Sequence, residues 1–399
     1  MNQRTICFIR SGSVRTTDGL FHDLHEHFSR EFERLFFVNV SKIFTSKFIS
    51  DPDDENAYRA LPANFVYVVP ESLSDFRKFL RSHGVIVVCY FSETWPDWWI
   101  HYYLRKYSIP LVYIDTHSAI VRFLYNKADR EPGFFRLWNK IKFVYSRFLR
   151  NMAIKYFLHD VDTLFVSCRD KAEKIGNPGK GRYRKSEVVI TNSRAYDAFL
   201  LNNYDVSNEY VVFLDSMLPY HEDQFRFGFQ PIDRELYYKN LNRVLDITKS
   251  VLGKELVICL HPKYNEENLQ GDFGERRVVK YRTGEFVAKA ELVLFHESSA
   301  VNSAIIYGKK IIQLIGSEFN DFIKNNCLCY QKCLPITTLD IYQCDERQIK
   351  DAIKMTRLNR KEYDSFLSNY IVTSGQKGAY SCEQVTSHIS RKYGILRKG

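Results

Sequence analysis

The sequence lacks the signatures of several large enzyme and binding classes. It has neither a G-x-x-x-x-G-K-[ST] loop nor a G-x-G-x-x-G run after a strand, which argues against P-loop NTPases and dinucleotide-binding enzymes. No G-x-S-x-G turn indicates an α/β-hydrolase. Zinc-finger and RNP patterns are also missing, so we expect no nucleic-acid partner despite a net charge of +10.

Long hydrophobic runs are absent too. The longest apolar runs, such as VIVVCYF, have the length of a strand and fall far short of the roughly 20 residues that span a bilayer. No signal-peptide pattern is present, because the apolar strand TICFIR begins almost at once without a small-residue cleavage site. We therefore expect a cytoplasmic protein.

The nine cysteines show no paired C-x2-C spacing. Cys327, Cys329 and Cys333 form a C-x-C-x3-C run close to Cys344, but structural zinc sites use paired knuckles. We therefore expect no metal and no bound cofactor.

What is present is an alternation of short apolar runs with helical patterns, which predicts parallel sheets with crossover helices. A chain of 399 residues fits two domains. The prediction is α/β: two Rossmann-like domains, 1–205 and 206–399, that face a central cleft. The polar stretch 201–209 would link them, and C-terminal helices would belong to the second domain.

The segment 256–314 is the most informative. The apolar strand ELVICL runs into a His-Pro-Lys turn, and the strand ELVLFH runs into Glu-Ser-Ser ahead of a helix. We expect these two strands to be neighbours in a parallel sheet. Parallel sheets place ligands at the carboxyl ends of their strands, and a helix N-terminus favours an anion. The simpler interpretation is a surface histidine and a serine N-cap. The candidate nucleotide-binding residues are His261, Pro262, Lys263, Glu297, Ser298 and Ser299.

A second loop, DSMLPYHED, follows the first strand of the second half. Asp215 and Asp223 are its candidate catalytic residues, together with His261 of the His-Pro-Lys turn, because acids and histidine supply nucleophiles and general bases. The alternative is a loop whose acids cap the next helix.

Three loops of the first half are expected to line the same cleft. Each follows a predicted strand: FIRSGSVR, VCYFSETWPDWW and VYIDTHS. Their candidate acceptor-binding residues are Arg10, Ser11, Ser13, Glu93, Asp115 and His117.

The segment 134–158 is basic and aromatic, with no acidic residue. Such a helix often lies on an anionic membrane surface, which would make the protein peripheral at the inner membrane. An amphipathic helix packed on its own domain explains the pattern equally well.

The pairing of His261-Pro262 with Ser298-Ser299, ahead of Gly308-Lys309-Lys310, resembles bacterial GT-B glycosyltransferases that use CMP-activated acidic sugars. The resemblance covers roughly 210–316, and the first half matches in architecture alone. In that group the HP histidine and the paired serines hold the single phosphate of CMP without a metal.

The loop around Asp215 looks most like the retaining β-Kdo transferases of lipopolysaccharide and capsule biosynthesis, where an aspartate near the donor acts as nucleophile. The resemblance thus implies transfer of Kdo, or a related ulosonic acid, from its CMP donor to a glycan or lipid-linked glycan. Asp215 would be the nucleophile and Asp223 the fallback. The alternatives are an inverting CMP-sialic, legionaminic or pseudaminic acid transferase, a teichoic-acid-type glycerophosphotransferase, and a non-catalytic glycan-assembly adaptor.

Overall fold

The computed structural model describes most of the chain. The described residues are 5–10, 18–44, 62–90, 97–116, 152, 156–167, 169, 172–173, 183, 185–221, 224, 229–373 and 375–395. Ser11, Ser13, Glu93, His117 and Asp223 lie outside them, as does nearly all of the basic segment 134–158.

Two parallel β-sheets form the framework, because the strands are short apolar runs buried on both faces. The first sheet contains β1 (Thr5–Arg10), β2 (Leu35–Asn39), β3 (Phe65–Val68), β4 (Val85–Tyr90), β5 (Leu111–Asp115), β6 (Thr163–Val166) and β7 (Glu187–Ile190). The second contains β8 (Tyr210–Leu214), β9 (Glu255–Cys259), β10 (Arg277–Val279), β11 (Ala290–Phe295), β12 (Lys310–Ile315) and β13 (Thr337–Asp340).

Helices connect the strands. Those between strands of the first sheet are α1 (Asp18–Glu31), α2 (Ser41–Phe44), α3 (Leu73–Ser82) and α4 (Trp98–Lys106). Those from residue 194 onward are α5 (Arg194–Asn202), α6 (Arg234–Leu252), α7 (Leu269–Phe273), α8 (Thr283–Ala288), α9 (Val301–Ile306), α10 (Asp321–Cys333), α11 (Glu346–Met355), α12 (Arg360–Phe366) and α13 (Ser381–Tyr393). Within the described ranges, no helix has the length and apolar character needed to cross a bilayer.

Local sequence fixes several helix ends. The Asp233 side chain accepts from the Leu236 N–H at 2.8 Å and caps α6, which ends at Gly253 with a φ of 61°. Asp345 and Gln348 form a capping box at the start of α11. These are ordinary start and stop signals, and sequence patterns locate such helices well.

Both sheets have the strand order of a Rossmann fold. The orders are β3-β2-β1-β4-β5-β6-β7 and β10-β9-β8-β11-β12-β13, and all pairings are parallel. The first strand of each half therefore lies in the middle of its sheet. The direction of winding reverses between β1 and β4 and between β8 and β11, which is the switch point where such sheets bind ligands.

The chain divides into two compact units. Among the described residues, the first unit takes in those up to Thr116, those from Met152 to Asn192 and those from Gln376 onward, while the second comprises Ser193–Gly375. This division differs from the predicted boundary at 205/206, because α5 belongs to the second unit and the tail returns to the first.

Specific contacts explain the return of the tail. Val385 and Ile389 of α13 are fully buried in the core beneath the first sheet. Lys392 donates to Thr163 Oγ1 at 2.6 Å and pairs with Glu187 at 2.9 Å. The helical tail is thus part of the first unit and not, as expected from the sequence, of the second.

Candidate functional site

The candidate site of the second unit is built at the carboxyl ends of β9, β8 and β11. Leu214 pairs with Cys259 on one side and with Phe295 on the other, so the three strands end at the same level. The loops that follow contain Asp215, His261 and Ser298. The predicted residues therefore come to one edge of the sheet, at its switch point.

One geometric expectation was wrong. The HP strand and the Ser-Ser strand are not neighbours, because β8 lies between β9 and β11. With strands about 4.8 Å apart, the two loops begin roughly 10 Å from each other. Asp215 lies between them.

Asp215 is buried, with 2% of its surface exposed, and it ties its own loop to the His261 turn. Its Oδ1 accepts from the Met217 N–H at 2.8 Å, and its Oδ2 accepts from the His261 N–H at 3.4 Å. Burial raises the pKa of Asp215 to about 7, against the opposing effect of the Met217 and His261 backbone hydrogen bonds.

His261 is half-buried at the start of a tight turn. Its Nδ1 accepts from the Lys263 N–H at 3.2 Å, and its carbonyl accepts from the Tyr264 N–H at 2.9 Å. With Nδ1 acting as an acceptor, the ring proton is on Nε2. Pro262 and Lys263 are exposed.

A second imidazole lies next to this turn. The ring centroids of His221 and His261 are 6.4 Å apart, and Phe322 lies 6.0 Å from His221 on another side. His221 follows a 3-10 turn, Leu218–Tyr220, in the loop after β8. The sequence placed it near the candidate acids but could not show that it reaches the HP turn.

The Ser-Ser loop is less helical than expected. Helix α9 begins at Val301, and the Ser298 Oγ accepts from the Ala300 N–H at 3.3 Å. Glu297 and Ser298 are half-buried and Ser299 is exposed. The serines thus form a turn ahead of the helix.

His296, just before Glu297, is a structural histidine. It is fully buried, its Nδ1 donates to the Leu314 carbonyl at 2.7 Å, and its Nε2 accepts from Tyr237 Oη at 2.8 Å. Burial lowers its pKa to about 4, so it is neutral at pH 7.

The lysines after α9 are structural as well. Lys309 is buried and donates to the Ser207 carbonyl at 2.6 Å, and burial lowers its pKa. Lys310 lies 3.6 Å from Glu291. Gly308, with a φ of 64°, ends the helix.

A buried carboxylate that the sequence analysis missed supports both loops. Asp272 of α7 accepts from Tyr220 Oη at 2.8 Å, from Tyr264 Oη, and from Arg234 Nε at 2.8 Å. Tyr220 directly precedes His221, while Tyr264 follows Lys263. Asp272 therefore fixes the positions of two loops whose sequence separation gave no sign of contact.

In the first unit, Arg10 and Asp115 are the predicted acceptor residues that the structure describes. Arg10 is the last residue of β1 and is buried, while Asp115 ends β5 and is half-buried. Both lie at the carboxyl edge of the first sheet, as the loop pattern predicted. Among the side chains that the structure describes, no group of three or more His, Cys, Asp or Glu residues is placed to hold a metal ion.

No protein-family model matches the chain, and no curated protein sequence matches it. Solved structures match over nearly its whole length. The glycosyltransferase of kitacinnamycin is 10% identical with a TM-score of 0.53, covering 98% of this chain and 99% of that one.

Two further structures are similar. MnaA of S. aureus in complex with UDP is 14% identical with a TM-score of 0.51, covering 99% of this chain and 98% of that chain. UGT2 of Phytolacca americana, complexed with UDP-2-fluoro-glucose and pterostilbene, is 10% identical with a TM-score of 0.51, covering 98% of this chain and 100% of that chain.

The chain has a GT-B fold. Likeness at this level of identity establishes the architecture, and it confirms the predicted pair of Rossmann-like domains. The similar structures include both a glycosyltransferase and a UDP-GlcNAc 2-epimerase, so the fold hosts transferases and epimerases of nucleotide sugars. The chemistry has to be argued from the site itself.

Proposed function

We propose that this chain is a metal-independent glycosyltransferase that moves Kdo, or a related ulosonic acid, from a CMP-linked donor to a bacterial surface-glycan acceptor. One observation is its main support: the His261 turn and the Ser298 loop flank Asp215 at the switch point of the second sheet. Such crevices are where open α/β sheets bind nucleotides.

The residue types fit a phosphate that leaves as an anion. The His261 Nε2–H, the exposed Lys263 ammonium and the Ser298 hydroxyl are donors or cations, and none needs a metal to bind a phosphate oxygen. When the bond between the sugar and CMP breaks, negative charge develops on the phosphate while the sugar becomes oxocarbenium-like. Donors positioned beforehand stabilise that charge.

His221 extends this donor set. With imidazole N–H to oxygen distances of about 2.8 Å, a phosphate between two rings whose centroids are 6.4 Å apart can accept from both. We therefore include His221 with His261 in the proposed phosphate site. Glu297 remains a proposed partner of the ribose hydroxyls.

Asp215 is the proposed nucleophile of a retaining reaction, with Asp223 as the fallback. To attack the sugar, Asp215 would have to exchange its hydrogen bonds from Met217 and His261 for the substrate. The competing proposal is that Asp215 positions His261 and never touches the sugar. Intact-mass analysis with CMP-Kdo and no acceptor separates these roles, because a nucleophile accumulates a covalent glycosyl adduct that Asp215→Asn abolishes.

A UDP-sugar donor is the second candidate. Two similar structures contain bound UDP or a UDP-sugar analogue, and the fold is shared over nearly the full chain. A diphosphate needs more hydrogen-bond donors than the single phosphate of CMP. A CMP-sugar site should therefore be stabilised more by CMP, and a UDP-sugar site more by UDP.

The acceptor is proposed to bind the first unit, through Arg10 and Asp115 and through Ser11, Ser13, Glu93 and His117. Membrane contact through segment 134–158 is a further proposal. Charge reversal at Arg147 and Arg150 should reduce sedimentation with anionic liposomes, whereas unchanged sedimentation would favour an amphipathic helix packed within the protein.

A thermal-shift screen tests the proposed donor. CMP should raise the melting temperature in EDTA, and it should do so more than UDP, GDP or ADP at equal concentration. His261→Ala should abolish the shift while leaving the melting temperature without ligand nearly unchanged. A larger shift with UDP would transfer the proposal to UDP-sugars, and no shift with any nucleotide would favour a non-catalytic adaptor.

A further inference from the structure

Tyr281 adopts a backbone conformation that its residue type disfavours. It lies in the loop between β10 and α8 with a φ of 63°. Glycine takes this conformation without strain, whereas bulky L-residues seldom do. Strain of this kind persists where surrounding structure enforces it, and it clusters at ligand sites.

The side chain of Tyr281 is also unusually open. The residue is 78% exposed, although aromatic side chains gain stability from burial. The other non-glycine residues with positive φ in the described part of the chain are Ser108, Asn203 and Met217. Asn203 ends a helix and Met217 is buried beside Asp215, so each of these two has a structural explanation that Tyr281 lacks.

Contacts place the ring beside the HP turn. Tyr281 Oη lies 3.5 Å from the Pro262 carbonyl, and the Lys280 ammonium lies over the ring, 5.7 Å from its centroid. Lys280 is itself held by the Tyr264 carbonyl at 3.2 Å and by Glu266 at 3.3 Å. The aromatic face is therefore presented at the outer side of the turn that contains His261.

The strand order shows on which side of His261 the Tyr281 ring lies. Strand β10 pairs with β9, and β9 pairs with β8, so Tyr281 lies one strand outward from His261, on the side away from Ser298. A nucleotide whose phosphate is between His261 and Ser298 can extend its base outward along this edge.

We propose that Tyr281 is the stacking platform for the nucleobase of the donor, with Lys280 holding the ring in place. This proposal rests on the proposed function in one respect, that a nucleotide phosphate binds at the His261 turn. Base–aromatic stacking changes affinity by about 5- to 100-fold, and it does not depend on which base is bound.

Isothermal titration of CMP, UMP and inorganic phosphate into the full-length wild type and four variants tests it. Tyr281→Ala should weaken CMP binding about 10-fold or more and leave phosphate binding unchanged, while Tyr281→Phe should keep CMP affinity within about twofold. Tyr281→Gly should lose CMP affinity equally and yet melt no lower than wild type, because glycine relieves the positive φ. Tyr156→Ala, which removes a half-exposed tyrosine of the first unit, is the matched control.

The outcomes separate this inference from the function on which it rests. If wild type binds CMP and Tyr281→Ala binds it equally well, the stacking role is overturned and the donor assignment stands. If UMP binds in place of CMP and its affinity falls in Tyr281→Ala, the stacking role is supported and the donor assignment changes to a uridine nucleotide. If neither nucleotide binds, both are overturned.

Discussion

The two sheets share one strand order but differ in what they place at the switch point. In the first sheet, β1 ends in the buried cation Arg10. In the second, β8 is followed by the buried acid Asp215, with a neutral buried histidine, His296, after β11. The same topology therefore supports opposite charges, and the residues just beyond the strand ends determine what each sheet can bind.

The two units also differ in how their loops are tied. In the second, the carboxylate of Asp272 accepts from two tyrosines and an arginine. In the first, the amide of Asn64 donates to the Ser29 and Phe32 carbonyls at 2.9 and 2.7 Å and accepts from Ser29 Oγ. Removing the Asp272 carboxylate costs more than removing the Asn64 amide, because it takes a charged acceptor from two tyrosine hydroxyls and a half-exposed arginine.

Asp272→Ala should therefore have the largest effect on stability. We expect the free energy of unfolding to fall by about 3 kcal/mol, because three donors lose a charged acceptor, against about 1 to 3 kcal/mol for Asn64→Ala. Urea unfolding followed by circular dichroism measures both. Equal losses of unfolding free energy in the two variants would contradict the expected difference between the Asp272 and Asn64 networks.

The next largest effect is on activity, where variants in the two units should impair different substrates. His261→Ala should reduce kcat/KM for the donor by about 100- to 1,000-fold, the usual effect of removing one preorganised donor to a developing anion. Arg10→Gln should instead raise the acceptor KM and leave donor affinity alone. Initial rates over both substrates measure the split, with His83→Gln in the first unit as the matched loss of an imidazole. A donor defect in Arg10→Gln would contradict the division of labour.

A third expected effect is a pH dependence of stability with opposite signs at Asp215 and His296. The Asp215 pKa is raised to about 7, so its contribution to stability is present below pH 4 and is lost as the pH rises toward 7. The His296 pKa is lowered to about 4, so its contribution is present above pH 6.5 and is lost as the pH falls toward 4.

Relative to wild type, Asp215→Asn should thus become more stable as the pH rises from 4 to 7, by on the order of 3 kcal/mol. His296→Gln should become relatively more stable as the pH falls over the same window. Unfolding curves at pH 4, 5, 6 and 7 measure the stability of each variant relative to wild type. If both variants changed in the same direction with pH, the opposite signs at Asp215 and His296 would be contradicted.

Sequence patterns predicted most strands because a parallel sheet buries both faces and leaves near-continuous apolar runs. The strand β13 was not predicted from the sequence, because Thr337–Asp340 is short and has one buried residue. The sequence did not show that α13 packs on the first unit. Buried apolar residues such as Val385 and Ile389 indicate that a helix packs against a core, but they do not indicate which unit supplies that core.

The positions of His261 and Ser298 at the carboxyl ends of strands were predictable from the sequence, but the distance between them was not. The sequence pattern predicts neighbouring strands, because the strand that separates them, β8, comes earlier in the chain. The tie through Asp272 joins residues 8, 38 and 52 positions away, and no periodic pattern records such contacts. The strain at Tyr281 is visible in the backbone alone.

A crystal structure of the protein with CMP, grown in EDTA, tests the central claim most directly. The account predicts the phosphate within hydrogen-bond distance of His261 Nε2 and the Ser298 loop, with the base against Tyr281 and no metal density. A phosphate bound elsewhere, with the His261 turn empty, would contradict it.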